Sequence, residues 1–386
     1  MVTILDTSNV FEYLATLDYC QIDDRDTSQI QIIPAKNFNL LIAFADGKNL
    51  LVKQELYNDR GQTRQEFRLA WRMQSLTQQL PEFSAKITKF LPKLLHFDPD
   101  RSILIVEYLS TYIDLAVYYA KEHRFPTAIS RSIGQAIATL HSQTFEHVEC
   151  KQLLDRESNL ASPDLAIDYA NQIIQRLSRI TPHIFRSMPV ECLQFFKLYQ
   201  RFPSLSQAIS DLDRSISPSC LVHNDLKTNN ILLDLSWESP TSQIIKLIDW
   251  ERAGWGDPAF DLGCILGSYL EIWLDGLIVS NTLSINESLQ LATTPLELIQ
   301  PALFCLIESY LESFPAIEIS RPDYLDRVVQ FAGLSLIQRI EINIDEDRTF
   351  GNRGIVMLQV AKQLICTPQA AMSTLFGHEF NQLIKQ

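Results

Sequence analysis

The chain has 386 residues, of which 46% are apolar and 20% are charged, and its formal net charge is −13. This composition excludes disordered, collagenous and low-complexity chains and leaves room for two lobes or two modest domains. The negative charge argues against binding to nucleic acid or to an anionic membrane surface. The seven cysteines stand singly, which indicates neither a disulfide framework nor a zinc site and fits a reducing compartment.

The sequence shows no secretory signal and no convincing membrane span. Residues 1–6 lack the basic segment and the long apolar segment of a signal peptide. The best candidate span, Leu262 to Ser280, carries Glu271 and Asp275 and is predicted to be a half-buried helix instead. We therefore expect a cytoplasmic protein that does not bind membranes.

Short runs of Ile, Leu and Val near the start of the chain predict three antiparallel strands. The runs are Ile30 to Ile33, Asn39 to Ala45 and Asn49 to Gln54. A turn around Pro34 separates the first two, and the hairpin signal Asp46-Gly47 separates the last two.

A helix and two further strands follow. Apolar residues recur with helical periodicity from Thr63 to Leu80. Strands are predicted at Lys93 to Phe97 and at Ser102 to Tyr108, separated by the turn former Asp98-Pro99-Asp100-Arg101.

Beyond Leu109 the pattern becomes mainly helical. Helices are predicted at Ala128 to Ser142, Pro163 to Ile180 and Val190 to Arg201, with strands at Ile231 to Leu235 and Ile244 to Ile248. The change predicts a β-rich lobe over residues 1–108 and a larger helical lobe over residues 109–386, which is an α+β fold.

The most informative motif runs from Leu221 to Leu233 and contains the spacing H-x-D-x-x-x-x-N. Phosphoryl transfer from ATP needs an Asp that orients the attacking hydroxyl and accepts its proton, and an Asn that holds a magnesium ion against the phosphates. Asp225 and Asn230 are the candidates. The alternative is a polar turn in which His223 and Asp225 only bind the backbone.

A second candidate metal ligand lies about twenty residues downstream. Asp249 follows the apolar segment Ile244 to Ile248, and a buried strand delivers its terminal side chain rigidly, as a near-octahedral magnesium ion requires. Taken alone, an Asp at the end of a strand is more often a turn former.

Three segments together resemble the aminoglycoside phosphotransferase and choline kinase-like family. They are His223 to Asn230, Ile248 to Glu251, and Ala253 to Gly263. Ile133 to His141 also resembles the family's helix that ends in Leu-His. The resemblance implies a protein-kinase-like fold with a small antiparallel-sheet N-lobe, a mainly helical C-lobe and ATP between them.

Within the C-lobe motifs, the resemblance implies a role for each matching residue. Asp225 would be the catalytic base, Asn230 and Asp249 the magnesium ligands, and Glu251 an additional metal or substrate contact. His223 and Asp261 would support the catalytic loop, although an acid near a helix N-terminus is as often an ordinary helix residue.

Lys227 departs from the family pattern, since family members often have His there and protein kinases have Lys. Its ammonium is predicted to neutralise charge on the transferred phosphoryl group.

In the N-lobe, Lys53 matches the strand lysine that contacts the α- and β-phosphates, and Glu66 on the next helix is its predicted ion-pair partner. Val106 to Leu109 resembles the hinge whose backbone binds adenine, which places Glu107 and Leu109 among the nucleotide contacts. The expected phosphate-covering loop at 34–38 contains no Gly, so close backbone approach to phosphate is less free there.

The resemblance favours a kinase that transfers a phosphoryl group from ATP, with Mg²⁺, to a hydroxyl of a small molecule. Two alternatives stay open. One is a kinase for Ser or Thr of a biosynthetic precursor peptide, which Lys227 favours and which would include a partner protein that presents the peptide. The other is a nucleotide-binding scaffold that activates a partner without catalysis.

Overall fold

The chain forms two compact units, each built from several segments. The computed structural model describes residues 4–158, 169–178, 186, 188–239, 244–280, 282–283, 287 and 291–383. The first unit comprises Met1–Ile113, Gln152–Ala166 and Leu232–Ala253, and the second comprises Asp114–Lys151, Ile167–Ile231 and Gly254–Gln386. This division differs from the single boundary predicted after residue 108, because two later segments pack with the first unit.

The first unit contains a five-stranded antiparallel sheet with the order β1-β2-β3-β5-β4. Its strands are β1 (Gln29–Ile33), β2 (Phe38–Ala43), β3 (Asn49–Gln54), β4 (Leu94–Asp98) and β5 (Ile103–Glu107). All five were predicted from the sequence, and their ends differ from the predicted ends by at most two residues. In β3, Lys53 lies opposite Asn39 on one side and Leu104 on the other.

One face of this sheet is covered by helix α1 (Val10–Thr16), which the sequence analysis missed. Val10, Phe11 and Leu14 pack with Leu50 and Val52 in the core of the unit. Successive side chains of a strand point to opposite faces, so the alternation that buries Leu50 and Val52 places Lys53 on the other face.

Helix α2 (Glu66–Gln79) begins three residues later than predicted and is followed by α3 (Pro81–Ile87). Its start is fixed by the buried carboxylate of Glu55, which accepts hydrogen bonds from the backbone N–H of Gln65 at 2.8 Å and of Phe67 at 2.7 Å. A carboxylate at this place satisfies backbone donors that have no partner within the helix.

Five short strands lie close to the predicted chemical motifs. Strands β6 (Tyr112–Asp114), β8 (Ile231–Asp234) and β9 (Ile245–Leu247) form a three-stranded sheet with the order β6-β8-β9. Strands β7 (Cys220–Val222) and β10 (Gly254–Gly256) form an antiparallel pair in the second unit. The sequence predicted β8 and β9 but not the three-residue strands β6, β7 and β10.

The second unit is mainly helical. Its elements are α4 (Leu115–Glu122), α5 (Thr127–Thr144), the start of α6 (Val148–Ser158), α7 (Tyr169–Ser178), α8 (Val190–Tyr199), α9 (Pro203–Ser215), α10 (Pro258–Asp275), α11 (Leu296–Ser313), α12 (Ala316–Ser320), α13 (Tyr324–Asp347), α14 (Asn352–Cys366) and α15 (Pro368–Leu383). The helices predicted at 128–142 and 190–201 are present. The helix predicted at 163–180 is present over Tyr169–Ser178, and its remaining residues lie outside the described part of the chain.

Helix α10 lies at the centre of this unit and is buried along most of its length. It packs closely on α13, because a Cβ atom added at Gly263 would lie 2.5 Å from the Cβ of Phe331 and 2.8 Å from the carbonyl oxygen of Val328. In the part of the chain that the structure describes, no helix combines the length and the apolar character needed to cross a membrane.

We expect Gly263→Ala to lower the free energy of unfolding by about 1–3 kcal/mol, because the added methyl group meets backbone atoms of α13 that cannot rotate away. Urea unfolding followed by circular dichroism measures the effect. Gly351→Ala is the control, since a Cβ atom there meets nothing within 4 Å. Equal unfolding midpoints for the two variants would show that the helices are not packed this closely.

Candidate active site

The loop that carries Asp225 and Asn230 is anchored at both ends to buried elements of the second unit. It follows β7, where Leu221 donates its backbone N–H to the hydroxyl of Thr144 on α5 at 3.0 Å. It ends in a 3₁₀ turn, Thr228–Asn230, where the N–H of Thr228 donates to the hydroxyl of Ser268 on α10 at 3.1 Å. The two anchors hold the loop between two helices.

Asp261 fixes the first residues of the loop. Its carboxylate is fully buried on α10 and accepts hydrogen bonds from the backbone N–H groups of His223 at 2.6 Å and Asn224 at 2.9 Å. Burial raises the pKa of this carboxyl, but the hydrogen bond from His141 and the neighbouring histidines lower it more, so the net pKa lies below the usual value of 3.8. Asp261 is therefore ionised and accepts donors from the loop.

A second layer of buried groups holds Asp261 itself. His141 of α5 lies with Nε2 3.3 Å from the Asp261 carboxylate and with Nδ1 2.9 Å from the hydroxyl of Tyr310 on α11. Burial raises the pKa of Tyr310 well above 10, so its hydroxyl keeps its proton. Each ring nitrogen of His141 thus lies within hydrogen-bond distance of an oxygen atom of a buried side chain. In the sequence, His141 ends a segment that resembles a family helix, and its neighbours along the chain give no signal of this contact.

The loop brings three of the predicted residues together. The amide nitrogen of Asn230 donates to the backbone carbonyl of Asp225 at 2.7 Å and to its carboxylate at 3.2 Å. The ammonium of Lys227 lies 3.4 Å from the Asp225 carboxylate. Because Asn230 donates through its nitrogen, its Oδ1 atom is the one that could bind a cation.

His223 supports the backbone of this loop from a buried position. Its ring is fully buried, and its Nδ1 accepts the backbone N–H of Asp225 at 3.3 Å. Asn224 has a left-handed backbone with φ 63°, which costs free energy for a residue other than Gly and is maintained by the hydrogen bond to Asp261.

In the first unit, Lys53 and Asp249 form an ion pair of 2.9 Å. Burial lowers the pKa of the Lys53 ammonium, but the charges of Asp249 and Glu251 and the hydrogen bond to Asp249 raise it more, so its pKa lies above the usual 10.5. Lys53 is therefore a permanent cation beside the Asp249 carboxylate.

Asp249 follows β9, as predicted, with a left-handed backbone of φ 60° and ψ 58°. Glu251 lies two residues further on, in the 3₁₀ turn Trp250–Arg252, and is partly buried. Burial, together with the negative charges of Asp249 and Glu66, raises the pKa of Glu251 to about 7. The turn thus presents one carboxylate paired with Lys53 and a second that changes its charge near neutral pH.

The predicted ion pair between Lys53 and Glu66 is not formed. Glu66 pairs with Lys36 at 2.6 Å instead, and Lys53 pairs with Asp249. The physical reason is the loop between β1 and β2, which brings the Lys36 ammonium to the largely buried Glu66 carboxylate. In this structure Lys36 and Glu66 tie the Gly-free loop to the start of α2.

The turn that carries Asp249 and Glu251 has a support that the sequence analysis missed. Arg72 of α2 is buried and donates to the backbone carbonyl of Ala253 at 2.7 Å. The indole N–H of Trp250 donates to the carbonyl of Leu247 at 2.9 Å. A buried Arg within an amphipathic pattern gives no local signal, because its binding partner lies 181 residues away along the chain.

The predicted adenine contacts lie where β5 ends. The Glu107 side chain is exposed, and the backbone N–H of Glu107 donates to the backbone carbonyl of Lys93. The backbone N–H of Tyr108 donates to the backbone carbonyl of Asn49. Leu109 is partly buried, and its carbonyl accepts from Tyr112. The contribution of Glu107 and Leu109 to nucleotide binding stays a prediction.

The donors expected for Mg²⁺ fit that ion in their chemistry. Asn230 offers an amide carbonyl and Asp249 a carboxylate, and both are the hard oxygen ligands that Mg²⁺ prefers. Within the described ranges, no group of three or more His, Cys, Asp or Glu side chains lies close enough to hold a metal. Mg²⁺ in kinases uses one or two carboxylates with waters and substrate phosphates, so it does not need such a cluster.

The chain resembles several solved structures. The chain is 14% identical to an ethanolamine kinase of Plasmodium vivax, with a TM-score of 0.54 over 95% of this chain and 87% of that chain. It is 15% identical to a choline kinase of Streptococcus pneumoniae, with a TM-score of 0.48 over 93% of this chain and 98% of that chain. It is 17% identical to a choline/ethanolamine kinase family protein of Mesorhizobium loti, with a TM-score of 0.48 over 94% of this chain and 96% of that chain.

The fold and the family predicted from the motifs are both confirmed. A small antiparallel sheet and a larger set of helices form the protein-kinase-like α+β fold of the ethanolamine kinase. A comparison with curated protein sequences gave no match. The model of the phosphotransferase enzyme family (APH) matches residues 46–285, which is more than half of the chain, and this chain belongs to that family.

Proposed function

We propose that this chain transfers the γ-phosphoryl group of ATP to a hydroxyl group of a small molecule. The observation that carries the proposal is the catalytic loop, in which the buried Asp261 carboxylate fixes the backbone and the Asp225 and Asn230 side chains bind each other. A charged, rigid loop of this kind supports chemistry because positioned groups need no reorganisation when the reaction occurs.

Asp225 is the proposed catalytic base. The acceptor oxygen forms a bond to the γ-phosphorus while the bond to the oxygen bridging the β- and γ-phosphates breaks, leaving ADP. The proton of the acceptor hydroxyl passes to the Asp225 carboxylate. Lys227, 3.4 Å from that carboxylate, neutralises charge on the transferred group.

The remaining predicted residues bind the nucleotide. Lys53 contacts its phosphates, and the backbone near Glu107 and Leu109 binds adenine. Asn230 and Asp249 would hold Mg²⁺, with Glu251 as a further contact, and the ion would supply positive charge against the phosphates.

Transfer to a peptide and binding without catalysis are the two alternatives. A peptide acceptor gains support from Lys227, whereas the small volume of the space beside Asp225, about 140 Å³, favours a small acceptor. A scaffold would bind ATP without transferring its phosphoryl group to any acceptor.

Asp225→Asn is expected to lower the turnover number by about 10²–10⁴, because the amide cannot accept the acceptor proton. Release of ADP in the presence of Mg²⁺ measures the rate, and thermal unfolding shows whether the fold is kept. Asp211→Asn is the control, since Asp211 is an exposed residue of α9. Wild-type rates in both variants would remove Asp225 from the mechanism.

Lys53→Met is expected to lower kcat/KM for ATP by about 10²-fold or more, because the phosphates lose a partly buried cation and Asp249 loses its ion pair with Lys53. Lys53→Arg, which keeps the charge, should retain part of the activity. Lys48→Met, immediately before β3, controls for loss of a lysine beside the sheet. Steady-state kinetics over a series of ATP concentrations gives the result, and unchanged kinetics in Lys53→Met would contradict the assignment.

Asp261→Ala is expected to destabilise the protein by about 3–5 kcal/mol, since two buried N–H groups and His141 lose their acceptor. The pKa of Asp261 is lowered in the folded state, so its contribution is present above pH 3.8 and is lost as the pH falls below that value. Urea unfolding at pH 7 and at pH 3 tests both statements. The difference between wild type and Asp261→Ala should be smaller at the lower pH, and a constant difference would show that Asp261 does not act as a carboxylate.

A further inference from the structure

A cavity of about 140 Å³ lies beside Asp225 within the second unit. It is bounded by the catalytic loop, α10 and α13. Uncharged hydrogen-bonding side chains contribute much of its lining: Asn224, Asn229, Ser268, Ser335 and Gln338. Its volume is below the range of about 300–1,000 Å³ for drug-sized ligands, so it fits a small acceptor.

Each charged group of this cavity is paired with another. Asp225 lies 3.4 Å from Lys227, and Glu271 of α10 lies 2.5 Å from Arg339 of α13. Two carboxylates and two cations therefore balance each other. Glu271 is one of the two acids that interrupt the apolar stretch of α10 in the sequence, and its position at the cavity accounts for a charge in a largely buried helix.

The Glu271–Arg339 pair suits the recognition of hydroxyl groups. The Glu271 side chain is 25% exposed and the Arg339 side chain 39%, so both retain atoms that a ligand can reach. A carboxylate accepts hydrogen bonds and a guanidinium donates several, and a hydroxyl group can do both. Burial raises the pKa of Glu271, whereas the neighbouring Arg339 cation lowers it.

The same features disfavour cationic acceptors. A quaternary ammonium is usually bound by aromatic rings, and no aromatic side chain is found in the described lining of this cavity. A polyamine would need carboxylates in excess, but Lys227 and Arg339 already neutralise the two that are present. Binding a cation would therefore have to displace one of these pairs.

We propose that the acceptor is an uncharged, hydroxyl-rich small molecule of the sugar or polyol class, and that Glu271 and Arg339 bind its hydroxyl groups. This assignment rests on the proposed phosphotransfer at Asp225. One acceptor hydroxyl loses its proton to Asp225 and gains the phosphoryl group, while the others bind the ion pair on α10 and α13.

Arg339 also lines a second, larger cavity of about 490 Å³. There Asp275 lies 3.6 Å from Arg353, and Asp347 is exposed to solvent.

Direct binding to the full-length chain tests the acceptor class separately from catalysis. Saturation-transfer NMR is measured with uncharged probes (ribose, glucose and inositol) and with cationic probes (choline, ethanolamine and kanamycin). We expect binding of at least one uncharged probe and weaker or absent binding of the cationic ones. Preference for a cationic probe, or binding of none of the six, overturns the proposal.

Two variants assign the binding to the ion pair. Glu271→Gln should lower the affinity for the uncharged probe by about 10-fold to 100-fold, which corresponds to the loss of a hydrogen bond to a charged group. Arg339→Lys keeps the positive charge but loses the planar set of guanidinium N–H donors, and it should lower the affinity for the probe by a smaller factor. The control is Glu308→Gln, which breaks another Glu–Arg pair of the same unit, between Glu308 and Arg131 at 3.1 Å, and should leave binding unchanged.

Consumption of ATP separates this inference from the proposed function. Phosphorylation of the uncharged probe, followed by ³¹P NMR and lowered in Glu271→Gln, supports both. A chain that binds the probe through Glu271 but transfers no phosphoryl group supports the cavity assignment and overturns the kinase proposal. Unchanged probe affinity in Glu271→Gln, in a protein whose thermal unfolding is also unchanged, overturns the cavity assignment alone.

Discussion

The loop that carries Asp225 and Asn230 depends on one buried negative charge, the carboxylate of Asp261. An ionised carboxyl inside a protein is strongly unfavourable unless donors replace the water that it has lost. Here the donors are the N–H groups of His223 and Asn224 and the ring of His141. Because the charge needs all of them, the loop backbone, α5 and α10 are held in one arrangement. The positions of Asp225 and Asn230 follow from this requirement.

Helix α10 carries this constraint along its length. Its N-terminal residue Asp257 is paired with the buried Arg327 of α13 and accepts the N–H of Ser217. Asp261, Ser268 and Glu271 follow at helical spacings of seven and three residues, so they lie along one side of the helix. One helix thus fixes the start of the loop, the end of the loop and the proposed acceptor pair.

In the first unit, an ion pair stabilises charged side chains that are partly removed from water. Lys53 is placed by the alternation of β3, and Asp249 by the end of β9, where the backbone adopts a left-handed conformation. Arg72 and Trp250 bind the carbonyl groups on either side of that turn. Each of these charged side chains has an opposite charge or a polar backbone group beside it. These contacts stabilise the charged side chains next to the sheet. Lys36 and Glu66 extend the same rule to the loop between β1 and β2.

The sequence by itself determined the classes of element and the chemical groups. Periodicity located the five strands of the main sheet and helices α2, α5 and α8 to within a few residues, and motif spacing selected Asp225, Asn230 and Asp249 together with the family. Those signals are local, since a strand, a helix or a loop motif is written in neighbouring residues.

Only the tertiary structure decided the partners. The pairing of Lys53 with Asp249 rather than Glu66, the contact of His141 with Asp261, and the burial of Arg72 and Glu55 join residues that are distant in sequence or have no distinctive pattern. A buried charge is unfavourable unless it is paired or hydrogen-bonded. Its partner is therefore the group that the tertiary structure brings within reach, which the neighbouring sequence does not reveal.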